Sequence, residues 1–184
     1  MIMIIKKKKK KKKRTGETYR AEDIARYIIK TCSDREYGIS NRKLQKLLYF
    51  VQAYFLVEAD YQKKAFFDRI EAWTFGPVVP SVYRKFRRFG AMTIPFERTY
   101  ITEDEGSHWG VKRVDYNDGA ISDHDKKGIN SVIEMFKDYS AVDMMNLTHT
   151  QQPWLQAYDP ESPRENKEIT PQSIKDYFSD DTVM

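Results

Sequence analysis

Three histidines, one cysteine and a scatter of carboxylates are what this chain offers to metal, nucleophilic or acid–base chemistry. His108, His124 and His149 could each bind a metal or move a proton near neutral pH. They lie far apart, however, and none has a second ligand at the short spacing of zinc-binding pairs. Cys32 stands alone, so neither a zinc cluster nor an intrachain disulfide can be drawn. Glu103, Asp104 and Glu105 are consecutive and read as solvated charge. There is no Gly-rich phosphate loop and no Gly-x-Ser-x-Gly elbow, and only eight glycines to build one. The expectation is therefore a protein that is not an enzyme and that uses neither metal nor cofactor.

The remaining chemistry is recognition. Arg84, Lys85, Arg87 and Arg88 gather beside Tyr83, a pattern that would suit nucleic acid. The charge of the chain argues otherwise. Its formal +5 comes from Lys6 to Arg14, nine consecutive cations; without them 23 Lys and Arg face 27 Asp and Glu, or −4. A mildly acidic body opposes the counterion release that drives nonspecific DNA binding, so nucleic acid is not expected as the main target. Residues 1–17 read as a disordered poly-lysine tail, because like charges repel and the run has nothing to bury. Five apolar residues before the lysines are too few, and in the wrong order, for a signal peptide. No stretch approaches the ~18–20 apolar residues of a membrane span. The single cysteine suits a reducing compartment, and a cytoplasmic location is expected.

Several elements must position these groups. Ala21, Ile24, Ala25, Ile28 and Cys32 recur at spacings of three and four, one apolar helical stripe on which Cys32 is a small buried hydrophobe. Ser40 is an N-cap candidate for a second helix reaching about Asp60. Its apolar residues, Leu44 to Val57, wrap most of the cylinder, so burial on several sides is expected; Arg42, Lys43 and Lys46 read as its solvated face. The segment 63–73 lacks helical period and reads as extended. Gly76-Pro77 then reads as the turn that starts a third helix, with Val79, Val82, Tyr83 and Phe86 as its stripe and Gly90 as its stop. Residues 91–120 carry β-type residues and a turn signal, and predict a small hairpin or flap. Ser122/Asp125 and Ser140/Asp143 resemble capping boxes that open a fourth and a short fifth helix, and Thr170-Pro171 opens a last one. The Pro-rich stretch 148–168 reads as a surface loop with Trp154 tucked inward. The fold class is mainly α: a compact domain, 18–184, of about five to six helices with a small β-flap and a frayed acidic C-terminus.

Three blocks carry a resemblance. "KLQKLLYFVQAYFL" at 43–56, "IEAWTFGPVVPSVYRKF" at 70–86 and "LTHTQQPWLQAY" at 147–158 resemble, in this order and separation, the Panacea antitoxin family, also described as SocA-like or phage-associated GepA-like proteins. The resemblance implies a mainly helical domain that neutralises a protein toxin encoded nearby by direct contact, without catalytic residues. One branch of the family delivers its toxin to a protease as an adaptor, and a DNA-binding regulator is the rival reading from another class. A homo-oligomer or a heteromeric toxin complex is compatible with all of these. On this reading Trp73, Gly76, Pro77, Pro153 and Trp154 hold the fold. The partner-binding surface is expected at Arg84, Lys85 and Arg88, projecting away from the third stripe, together with Tyr100 and Trp109 of the flap.

Overall fold

The computed structural model describes residues 18–58, 60–104 and 106–180, so the expectations for the lysine tail and the last four residues lie outside the described residues. Among the described residues the chain is mainly α, with seven α-helices and two small antiparallel sheets. Helix α1 (Ala21–Asp34) and helix α2 (Asn41–Val57) stand where the stripes put them. The Ser40 side chain accepts the Lys43 N–H and so caps α2. Helix α2 is the centre of the molecule: α1, α3 (Pro80–Phe86), α4 (Asp123–Met135), α5 (Ala141–His149) and α7 (Pro171–Ser179) all pack on it. That surround follows from its nearly continuous apolar surface, and Leu44, Leu48, Val51 and Phe55 are wholly enclosed. Burial on this scale, at about 1.5–3 kcal/mol per large side chain, is the main force holding the helices together.

Between α2 and α3 the chain forms a tight hairpin, β1 (Ile70–Trp73) with β2 (Gly76–Val78), and β1 also pairs with β5 (Glu168–Ile169). This corrects one sequence expectation. Gly76-Pro77 does not start a helix; it begins strand β2, and α3 starts at Pro80, whose fixed φ suits the first helical position. A Gly-Pro pair followed by a proline three residues later offers two helix starts, and Gln45 helps the second: its Oε1 accepts the Val79 N–H at 2.9 Å. Helix α3 ends at Phe86, and Arg87 to Phe89 form a 3-10 turn before Gly90.

The expected flap is a hairpin of β3 (Thr99–Glu103) and β4 (Val111–Asp115), paired from Thr99↔Asp115 to Glu103↔Val111. Ser140 and Asp143 form a full capping box at α5, each bonded to the other's backbone. At α4 only half of one forms. Ser122 accepts the Asp125 N–H, but the Asp125 carboxylate turns into the core, where it accepts from Tyr19 Oη and Lys63 Nζ, both at 2.7 Å. A second correction concerns 148–168, which is not all loop: Gln152–Ala157 is a helix, α6, with Pro153 in its first turn. Its brevity hides its period, since six residues complete fewer than two turns. Helix α7 opens at Thr170, whose hydroxyl accepts the Ser173 N–H.

Candidate functional site

The three sequence blocks, far apart along the chain, meet at Gly76. Its φ of +92 is a left-handed backbone that only glycine adopts without strain. A Cβ there would stand 2.7 Å from Thr148 Oγ1 and 2.8 Å from Lys46 Cε, so α2, the β1–β2 hairpin and α5 approach one another through this missing side chain. Lys46 is 2% exposed, not solvated as its position early in α2 suggested. Its Nζ donates to the Pro77 carbonyl at 3.0 Å. Lys43 is also buried, donating to the Lys137 carbonyl at 2.9 Å. Of the three early cations only Arg42 stays on the surface, its guanidinium 4.9 Å from the Phe75 ring centre.

Trp154 closes the other side. Its ring is sandwiched between His149 at 4.1 Å and Tyr158 at 4.6 Å, and Nε1 donates to the Trp73 carbonyl at 3.0 Å. One indole thus pins α6 to the end of β1. Trp73 itself is only half-buried, edge-on to Tyr83 at 5.0 Å, with Nε1 donating to Glu71 Oε2. Trp73→Ala is therefore expected to destabilise less than Trp154→Ala, a difference that urea denaturation of the two variants reads directly.

Burial away from any carboxylate pulls the Lys46 ammonium down to about 7, with the Arg42 charge adding to the effect. Between that value and the ordinary 10.5 the unfolded chain holds a proton that the folded chain does not, so stability rises with pH across this window. From pH 7 to 9.5 the gain attributable to Lys46 should be on the order of 1–3 kcal/mol, and Lys46→Met should flatten it. The upper limit keeps clear of the buried tyrosines, Tyr49 above all, whose raised values cost stability once the unfolded phenols ionise. Nearby His149 is pushed below its ordinary range by burial and by Lys46, and its Nε2 is enclosed without a hydrogen-bond partner among the described residues.

Other candidate chemistry is dispersed. Burial raises the Cys32 thiol to about 11, leaving it a small core hydrophobe. Among the described residues no three His, Cys, Asp or Glu side chains come together as a metal site. No helix among them is long and apolar enough to cross a membrane.

The residues expected at a partner surface divide into tied and free. Lys85 is not free: its Nζ lies 2.8 Å from Glu22 Oε2, in a cluster with Arg20 and Arg26. Arg88 pairs with Glu97 at 2.5 Å but remains exposed, and Arg84 is exposed on α3 with no ion pair among the described residues. Tyr100 is half-buried, because the Arg26 guanidinium lies over its ring at 3.2 Å and docks the flap on α1. Trp109 is 82% exposed, near the tip of the flap, with exposed Met92, Ile101 and Val111 as further large apolar residues of this region. An open groove of about 490 Å³ separates flap from helices, with Arg26, Phe86, Arg88, Lys112 and Arg113 on its walls.

The scaffold is helical, with Trp154 pinning α6 to the end of β1 and a β3–β4 hairpin carrying the exposed Trp109 beyond its end. The family model described as "Antitoxin SocA-like, Panacea domain" matches residues 44–155. The chain is also similar to "Antitoxin SocA" of Caulobacter vibrioides (strain NA1000 / CB15N), at 42% identity over 114 residues, 55% of this chain and 60% of that protein. No solved structure matches. The chain belongs to the SocA-like Panacea antitoxin family. It spans about 60% of the length of the curated relative it matches.

Sequence reasoning found the tryptophans and Gly76 but missed Lys46, Gln45 and Gln52. Gln52 is buried in α2, and its Oε1 accepts the Ala65 and Phe66 N–H groups at 3.0 and 3.2 Å. Gln45 also donates to Asn41 Oδ1, and Asn41 in turn donates to the Tyr83 carbonyl. The one available signal was position: these polar residues interrupt a helix otherwise apolar nearly all round.

Proposed function

We propose that this chain is an antitoxin that neutralises a protein toxin, encoded beside it, by direct contact through the flap and the exposed edge of α3. The observation that carries the reading is the protruding hairpin, with Trp109 almost wholly in solvent, three more exposed apolar residues in the same region, and Arg84 and Arg88 on the neighbouring helix end. Large aromatics and arginines dominate binding energy at protein interfaces, and an exposed tryptophan contributes little to a free domain. The name of the relative, "Antitoxin SocA", supports the same role.

Co-expression with the neighbouring gene tests this. The expected result is that the toxin product arrests growth alone and that this chain restores growth while co-purifying with it. Continued arrest despite soluble, folded protein would overturn the reading. The chain lacking residues 1–14 is expected to protect equally well, because nothing in this account assigns those lysines a contact. Loss of protection by that truncated but folded protein would make them a binding element.

A further inference from the structure

Beside the β1–β2 hairpin lies a second pocket, about 320 Å³, with Arg42, Lys46, Trp73, Phe75, Tyr83 and Arg164 among its walls. Its electrostatics are one-sided: three cations line it and no carboxylate does. None of Arg42, Lys46 and Arg164 has an ion-pair partner among the described residues. Lys46 is the unusual member. An ammonium carries three donors, and the Pro77 carbonyl is the acceptor found for Lys46 Nζ. A cation enclosed with so little compensation is costly to the free protein, and an anion entering the pocket would offset that cost. Arg42 and Lys46 stand one helical turn apart on α2, so they face the same space, and Arg164 reaches it from the loop before β5. Trp73, Phe75 and Tyr83 supply aromatic wall, and Gln45, Thr74 and Asn166 supply neutral polar groups.

We propose that this pocket is an anion site that takes a carboxylate carried on a planar apolar group, the carboxylate at Lys46 between the two arginines and the flat group against Trp73, Phe75 and Tyr83. The pairing follows from the wall chemistry: arginine's fork matches a carboxylate, and aromatic faces match a flat hydrophobe. This site is separate from the flap and does not depend on the toxin-binding reading, because it is tested on the chain alone.

The probe is phenylacetate, with phenylacetamide as its uncharged counterpart, titrated calorimetrically into the full chain at pH 6.5, where Lys46 is mostly protonated. Arg42, His149, Tyr83 and Arg164 are the other titratable or charged groups around it, and burial with the Lys46 charge holds His149 below its ordinary range. Phenylacetate is expected to bind saturably and to shift the Trp73 indole resonance. Phenylacetamide is expected to bind at least tenfold more weakly. Arg42→Ala with Arg164→Ala, both exposed positions that leave the fold intact, should weaken phenylacetate at least tenfold while retaining the lysine tail as an internal control. Equal binding of acid and amide, or unchanged binding by the double variant, would overturn the proposal. Repeating the titration on the toxin complex separates two sources of the same chemistry. Loss of phenylacetate binding there identifies a carboxylate of the protein partner, and retention identifies a free small acid.

Discussion

Trp154→Ala is expected to lower stability by about 3–5 kcal/mol, the range for truncating a large aromatic in a packed core. The indole is 7% exposed, held between two rings, and bonded to the Trp73 carbonyl. Truncation removes the stacking on both faces and also leaves that carbonyl without its donor, a further cost if water does not replace it. Trp154→Phe separates the two contributions: most of the ring packing remains and the hydrogen bond is lost, so a loss of about 1–2 kcal/mol is expected. Urea denaturation with the m-value checked for two-state behaviour reads both. A loss below 1 kcal/mol for Trp154→Ala would show that α6 does not pin the hairpin.

Gly76→Ala is expected to cost about 2–6 kcal/mol through two separate mechanisms. The backbone at φ +92 strains any L side chain, at about 1–3 kcal/mol. The new methyl must also displace Thr148 and Lys46, both buried, and overpacking of this kind costs a further 1–3 kcal/mol. Gly90 is the control. It too has a positive φ, +55, but nothing lies within 4 Å of the position its Cβ would take. Gly90→Ala should therefore show the backbone contribution alone, about 1–3 kcal/mol. Equal losses at the two positions would mean that the close approach of α2, β2 and α5 carries no energy.

The comparison of these two glycines shows where sequence reading succeeds and where it stops. Gly90 follows an amphipathic run, and a helix stop there is a local property of the chain. Gly76 was legible as a special backbone position, but its use was not, because the atoms that require it come from Lys46 and Thr148, 30 and 72 residues away. Lys46 was misread for the same reason. A lysine in the first turns of a helix is ordinarily solvated, and only the hairpin folding over it buries the amine. Asp125 was read as half of a capping box, and the distant Tyr19 and Lys63 draw its carboxylate away from that role. The apolar faces of α1 and α2 were readable because a helix displays its buried face every three to four residues. Helix α6 and strand β5, at six and two residues, are too short to display a period at all.

The partner surface divides along the same line. Exposure followed from the apolar stripe for Arg84 on α3 and for Arg88 in the 3-10 turn beyond it, whereas Lys85 is claimed by Glu22 from α1, a contact between residues 63 apart. Tyr100, expected as a contact residue, lies half-buried with the Arg26 guanidinium of α1 over its ring, a neighbour 74 residues away in sequence.

The most direct measurement is the affinity of the purified chain for the product of the neighbouring toxin gene, compared with that of an Arg84→Glu, Arg88→Glu, Trp109→Ala variant. All three residues are exposed, and the one ion pair broken, Arg88 with Glu97, is a surface pair worth about 0–1 kcal/mol, so the variant should melt close to the parent. A loss of affinity of roughly a hundredfold or more is expected, as removal of an aromatic anchor and its flanking arginines implies, together with loss of growth rescue. A variant that melts like the parent, binds the toxin with parental affinity and still restores growth would contradict that expectation.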